Sequence, residues 1–335
     1  MNYRPLGRTG VNVSELCLGC MMFGAKTDLA DSCRIIGRAL DLGVNFLDTA
    51  NVYSRGQSEE ITGQALKRNG KRDRIVLATK VHGQMADDDP NASGNSRRHI
   101  LQQCDASLRR LQTDWIDLYQ LHRPSTDIPL DETLRALDDL IRAGKVRYIG
   151  TSTFAAWQIV EALWIAKELG LNRLVCEQPP YNLLDRRIER ELIPMAQTYG
   201  LALIPWAPIA SGFLTGKYKR TGPDPADARL KRNDAGQWGW RNYAAAFDIL
   251  DRVESLARAK GCTPSQLAIA WCAQQPGITS PIIGPRTLEQ LEDNLKAVDV
   301  KITDADRKAL DEVAPPGGVT VPYYEANFGP HLHRW

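Results

Sequence analysis

Four residues of this chain combine side-chain type and spacing in a way that could do proton chemistry: Asp48, Tyr53, Lys80 and His122. Asp48 follows the apolar run 44–47, Lys80 follows the run 75–79, and His122 follows the run 115–121. Tyr53 stands five residues beyond Asp48. Taken singly, each has an ordinary structural use: a helix-capping aspartate, a packed tyrosine, a surface lysine, a hydrogen-bonded core histidine. Taken together they form a proton-donating set. A phenol of pKa about 10 is a poor acid at neutral pH. An ammonium nearby lowers such a value by roughly 1–3 units, and a carboxylate pairing with that ammonium would fix its position. Tyr53 then serves as general acid, and His122 orients the same oxygen and stabilises charge that develops on it. No side chain can donate hydride, so a reduction built on this set requires a redox cofactor.

The groups converge only if successive apolar runs lie side by side. Eight such runs are legible, at 16–19, 44–47, 75–79, 115–121, 146–149, 174–177, 201–205 and 279–283. They are continuous more than alternating, as expected of parallel strands covered on both faces. Between them apolar residues recur three and four apart, as in Leu29, Cys33, Ile36, Leu40, again in Leu101, Cys104, Leu108, Leu111 and in Leu134, Leu137, Ile141, and finally in Leu288, Leu291, Leu295, Val298. This is the stripe of a helix that buries one face. Gly43, Gly144, Gly170 and Gly200 fall where a left-handed helix cap is needed. Eight βα units predict an α/β fold, a (β/α)8 TIM barrel over residues 1–335, with catalytic groups at the C-terminal ends of its strands. An open doubly wound sheet would carry a GxGxxG fingerprint, which does not occur. GFLTGK at 212–217 is one residue short of a P-loop and precedes Tyr218. The segment 212–243, rich in Gly, Pro, Asp and Arg, reads as a functional excursion within the domain.

Composition excludes several classes. A net charge of +2 on 335 residues offers no basic surface for nucleic acid. The start, MNYRPLGRTGVNVSELCLG, lacks the apolar core of a secretory signal, and no run is long enough to span a bilayer. Seven cysteines at irregular spacing suit reduced thiols in the cytoplasm. Cys17 and Cys20 form a CxxC on a predicted strand, where positions three apart point to opposite faces, so no disulfide is expected. His331 and His333 lack a companion carboxylate or cysteine, and no metal is expected.

FLDTANVYS around Asp48 and Tyr53, LATK ending at Lys80, and DLYQLHRP around His122 resemble the aldo-keto reductase superfamily, in the branch of bacterial and plant reductases related to potassium-channel β subunits. YRPLGRTGVNVSELCLG resembles that family's N-terminal β-hairpin, which plugs the bottom of the barrel. The resemblance implies NADPH-dependent reduction of small aldehydes or ketones, with Asp48, Tyr53, Lys80 and His122 as the catalytic tetrad. It sets the nicotinamide carboxamide near Ser152, Thr153 and Gln178, stacks the ring on Trp206, and brings Gly19, Cys20, Met21 and Asp48 close to it. The pyrophosphate would follow PIASGFLTGK, against Ala207, Pro208, Ile209, Ala210, Gly212, Leu214 and Lys217. The adenosine end would meet Ile283, Gly284, Arg286, Gln290, Asp293 and Asn294, with the Arg286 guanidinium favouring NADPH over NADH. The chain departs from the family pattern at Thr153, where asparagine or arginine is common, and at Cys20, where threonine is common. Long loops at the C-terminal face build the substrate rim, with Met22, Phe23, His82, Trp238, Trp240, Tyr323 and Tyr324 as its candidates. The alternative reading is an NADPH-holding sensor module that docks on a channel and turns over little. A homo-oligomer is compatible with either.

Overall fold

The computed structural model describes residues 1–223, 225–226, 228 and 244–323. The chain opens with an antiparallel hairpin of β1 (Tyr3–Pro5) and β2 (Asn12–Ser14). Eight parallel strands follow: β3 (Cys17–Gly19), β4 (Phe46–Asp48), β5 (Val76–Val81), β6 (Ile116–Leu121), β7 (Val146–Ser152), β8 (Leu174–Gln178), β9 (Ala202–Leu203) and β10 (Ile282–Ile283). Each pairs with its neighbour in sequence, and β10 returns to pair with β3. The remaining gap between β9 and β10 is crossed by a bridge from Leu203 to Ile278 and by two amide bonds, Thr279 N to Leu203 O at 2.8 Å and Ile282 N to Pro205 O at 2.8 Å. The sheet thus curls into a ring, the (β/α)8 barrel expected from the eight runs.

Strands β9 and β10 are three residues shorter than their apolar runs, for a reason written in the chain. Pro205 and Pro281 have no N–H to give to a ladder, so regular pairing is cut to two residues in β9 and two in β10. Strand β7 is longer than its run, because Gly150, Thr151 and Ser152 continue the ladder against β6 and β8 although they are not apolar.

The connecting helices are α1 (Leu29–Asp41), α2 (Gln57–Asn69), α3 (Arg97–Leu111), α4 (Leu130–Arg142), α5 (Ala156–Leu169), α6 (Leu192–Tyr199), α7 (Ala244–Lys260), α8 (Pro264–Ala273), α9 (Leu288–Leu295) and α10 (Asp304–Asp311). Their apolar stripes pack on the outside of the strands in one large core. Helices α5 and α6 end on Gly170 and Gly200 at φ +66° and +69°, a backbone that costs glycine little. Among the described residues no helix is long and apolar enough to cross a membrane.

A second, smaller core lies inside the ring. Leu6 and Val13 of the hairpin meet Cys17, Phe46, Ala78, Leu118, Cys176, Ala202 and Ile204 there. Arg4 ties the hairpin down by donating to the carbonyls of Ala273 at 2.7 Å, Ile278 at 3.1 Å and Thr279 at 3.3 Å, all just before β10. The hairpin therefore plugs the end at which strands begin. Cys17 belongs to this inner core and Cys20 to the outer one, and both thiols are free and buried. Burial pushes the Cys20 thiol up to about 12 and Cys17 well above its usual range, so neither is a nucleophile near neutrality. His331 and His333 lie outside the described residues, as does most of the 212–243 excursion, whose first part is a short helical turn over Ala210–Thr215.

Candidate active site

Alternation along the strands decides which side chains enter the ring. Phe46, Ala78, Leu118 and Cys176 point inward, so Asp48, Lys80, Gln120 and Gln178, each two residues further on, point inward one layer nearer the strand ends. Register staggers the strands, Asp48 standing opposite Ala78 and Lys80 opposite Gln120, so that these side chains meet across neighbouring layers. The result is a buried polar cluster across four strands. Lys80 Nζ donates to Asp48 Oδ2 at 2.5 Å, to the Thr49 carbonyl at 2.9 Å and to the Tyr53 hydroxyl at 3.3 Å. Asp48 Oδ1 accepts from Gln120 Nε2 at 3.0 Å and Gln178 Nε2 at 2.9 Å. A fully buried ammonium is tolerable because all three of its donors and its counter-charge are satisfied.

Tyr53 is carried into contact by a strained turn. Ser54 and Arg55, directly after it, sit in the left-handed region at φ +48° and +51°. Left-handed backbone in non-glycine residues costs on the order of 1 kcal/mol or more each and persists where surrounding structure enforces it. The turn folds the phenol back so that Lys80 Nζ lies 4.9 Å from its ring centre. His122, the first residue beyond β6, is anchored by its amide to the Val81 carbonyl at 2.8 Å. Its ring meets Tyr53 edge-on, centroids 5.5 Å apart at 83°.

The charges follow from this packing. Burial alone would lower the Lys80 ammonium, but the attraction of Asp48 and then of Tyr53 outweighs it and holds the lysine above its usual value, charged at any working pH. Burial, followed by the positive charges of Arg123, Lys80 and His82, holds His122 well below the ordinary imidazole range. His122 is a neutral ring at physiological pH, able to donate one hydrogen bond without carrying charge.

These groups open onto a cavity of about 1020 Å³ over the C-terminal ends of the strands. Tyr53, His122, Asp48, Gly19, Met21, Ser152, Gln178 and Trp206 line its deeper part. Ala207, Pro208, Ile209, Gly212 and Lys217 form one wall, and Ile283, Gly284, Arg286, Gln290, Asp293 and Asn294 the other. Cys20, Thr153, Ala210 and Leu214 are not on its surface. Cys20 is turned into the core, the Thr153 hydroxyl is taken by Arg123 at 2.8 Å, and Ala210 and Leu214 are fully buried beneath the wall. Of the rim candidates, Met22 and His82 line the cavity, Phe23 packs in the core, and buried Tyr323 lies edge-on to Trp206 at 5.9 Å. Trp238, Trp240 and Tyr324 lie outside the described residues.

The walls suit an elongated, phosphate-bearing ligand. Ala207, Ala210, Ser211 and Gly212 all adopt positive φ, curling the backbone of one wall. On the other, a Cβ at Gly284 would meet nothing within 4 Å, so the glycine leaves open volume where any side chain would intrude. Lys217 and Arg286 supply a cation on each side. Gln290 is held by the Arg286 amide, which donates to its Oε1 at 2.9 Å, and Asp293 by Gln266 Nε2 at 2.7 Å, so this wall is organised by its own bonds.

Three polar residues of the region escape the sequence reading. Gln120 interrupts the apolar run of β6, and a buried glutamine within a strand demands partners, the one signal that could have found it. Arg123, next to His122, lines the cavity and donates to the His122 carbonyl at 2.6 Å. Glu177, fully buried beside Gln178, accepts from the Phe154 amide at 3.1 Å ahead of α5.

Comparison with known proteins agrees with this architecture. The model of the aldo/keto reductase family matches residues 15–315. An uncharacterized oxidoreductase, YrpG, of Bacillus subtilis is 40% identical over 97% of this chain and 99% of its own length. A probable voltage-gated potassium channel subunit beta of Oryza sativa is 40% identical over 90% of this chain and 92% of its own. Versiconal hemiacetal acetate reductase of Aspergillus parasiticus is 37% identical over 95% of this chain and 98% of its own. With residues 15–315 matched and nearly the whole length shared with these relatives, the chain belongs to the aldo/keto reductase family of oxidoreductases.

Proposed function

We propose that this protein reduces aldehydes or ketones to alcohols with NADPH, Tyr53 giving the proton and Asp48, Lys80 and His122 supporting it. One observation carries the reading. The Tyr53 oxygen stands 3.3 Å from an ammonium that is itself locked by a carboxylate, at the wall of a cavity of about 1020 Å³. An ammonium only donates, so the Tyr53 oxygen accepts from Lys80 and its own hydrogen is left to point into the cavity. As that proton moves to a carbonyl oxygen, the charge remaining on the phenol faces the ammonium. Neutral His122 donates a second hydrogen bond to the same oxygen, fixing the carbonyl and opposing the charge that builds on it. The nicotinamide, when bound, supplies the hydride. Ser152 and Gln178 would hold its carboxamide and Trp206 its ring, while Lys217 and Arg286 would face the pyrophosphate and the 2′-phosphate. That last contact favours NADPH over NADH, since a charge-assisted bond of this kind contributes about 1.5–3 kcal/mol.

A second reading is a channel-docking sensor that holds NADPH with little turnover, and the names of the channel-subunit relatives bear on its docking alone. Loss of absorbance at 340 nm, followed with purified protein, NADPH and a panel of aliphatic and aromatic aldehydes and ketones, separates the two. Reduction reads as NADPH consumption dependent on the carbonyl compound. Tight NADPH binding with no consumption across the panel would favour the sensor, and absence of nicotinamide binding would sink both.

A further inference from the structure

Gln120 connects two halves of the cavity floor that are far apart in sequence. It rises from β6, gives Nε2 to Asp48 Oδ1 at 3.0 Å, and with its Oε1 accepts from Gln178 Nε2 at 3.2 Å, although β7 lies between their strands. Gly150 of β7 permits this crossing. It stands opposite both Gln120 and Cys176, and a Cβ there would touch Gln120 Cγ at 3.5 Å and collide with Cys176 Sγ. Gln178 Nε2 thus spends both of its hydrogens, one on Asp48 Oδ1 at 2.9 Å and one on Gln120 Oε1. Its Oε1 is the atom left to face the cavity that Gln178 lines. A primary amide is normally ambivalent, because rotation by half a turn exchanges its donor and acceptor ends. Here the acceptor at Gln120 and the carboxylate at Asp48 both reward the same orientation, and all three side chains are buried.

We propose that Gln120 is a positioning residue that locks Gln178 with its oxygen toward the cavity, making the site select a coenzyme ring that bears an N–H donor, a carboxamide over a ketone substituent. This rests on the nicotinamide reading above. Gln120 itself touches neither coenzyme nor substrate; it acts through Gln178. Without it the Gln178 amide keeps Asp48 as its single anchor and is held less firmly with its oxygen toward the cavity.

The test compares equilibrium binding, by quenching of tryptophan fluorescence, of NADP+ and its 3-acetylpyridine analogue, in which a methyl ketone replaces the carboxamide. The wild type should prefer NADP+ by about tenfold, the size of one neutral hydrogen bond in a buried setting. Gln120→Met, similar in volume but unable to anchor the amide, should narrow the preference to about twofold, chiefly by weaker NADP+ binding. Equal binding of the two coenzymes by the wild type overturns the proposal without any variant, and so does an unchanged preference in a folded Gln120→Met protein. Failure of the wild type to bind either coenzyme overturns the nicotinamide reading itself.

Discussion

At the scale of single residues, the sequence identified side chains by what lies before them. Asp48, Lys80 and His122 each end an apolar run, and the structure brings all three to Tyr53. Gln120 and Glu177 were not legible because their roles depend on the neighbouring strand, which no local pattern specifies. Glu177 yields a prediction at this scale. Burial pushes its carboxyl up from 4.5 to about 8, against the opposing bonds from Thr151, Phe154 and Thr153 and the charge of Arg123, and its Oε2 has no hydrogen-bond partner among the described residues. Between those two values the folded protein keeps a proton that the unfolded chain has released. Stability therefore falls as pH rises from about 4.5 to about 8 and levels off above. Glu177→Gln, neutral throughout, removes that slope. Urea unfolding at pH 5, 7 and 8.5 should show the variant gaining on the wild type by up to about 1.4 kcal/mol per pH unit. Parallel stability curves would show that Glu177 is already ionised in the fold.

Among the elements, helices were readable from their stripes and strands from their runs, with errors where the backbone overrode the side chains. Prolines at 205 and 281 shorten β9 and β10, and the Gly-Thr-Ser end of β7 pairs despite its polarity. The hairpin was legible only through resemblance, since three-residue strands carry little periodicity of their own. Its work is to fill the end of the ring remote from the cavity, with Leu6 fully buried in the inner core. Leu6→Ala should cost roughly 2–5 kcal/mol of stability. Because the hairpin lies at the opposite end from Tyr53, carbonyl reduction at 20 °C should stay within about twofold of the wild type. A variant with unchanged urea midpoint, or one that unfolds no sooner yet loses activity, would show that the plug has been assigned the wrong task.

For the whole molecule, ring closure is what makes the chemistry available. Asp48 and Gln178 are separated by 130 positions and meet at 2.9 Å because β3 to β10 wrap around a common axis and end at one mouth. The fold class was legible because eight alternating units in this length leave few alternatives, and the mouth was legible because strand ends in such a ring face one another. Trp238, Trp240 and Tyr324, expected from the sequence as rim candidates, lie outside the described residues, and the identity of the carbonyl substrate is decided by screening. In the proposed mechanism a phenol backed by a locked ammonium delivers the proton that completes reduction. Its most direct test is Tyr53→Phe, assayed with NADPH and the best carbonyl compound of the panel, alongside NADPH binding by fluorescence. The expected result is a fall in kcat of about 10²–10⁴, the usual contribution of a general acid, with the dissociation constant of NADPH within about twofold of the wild type. Turnover close to that of the wild type in the variant would contradict it.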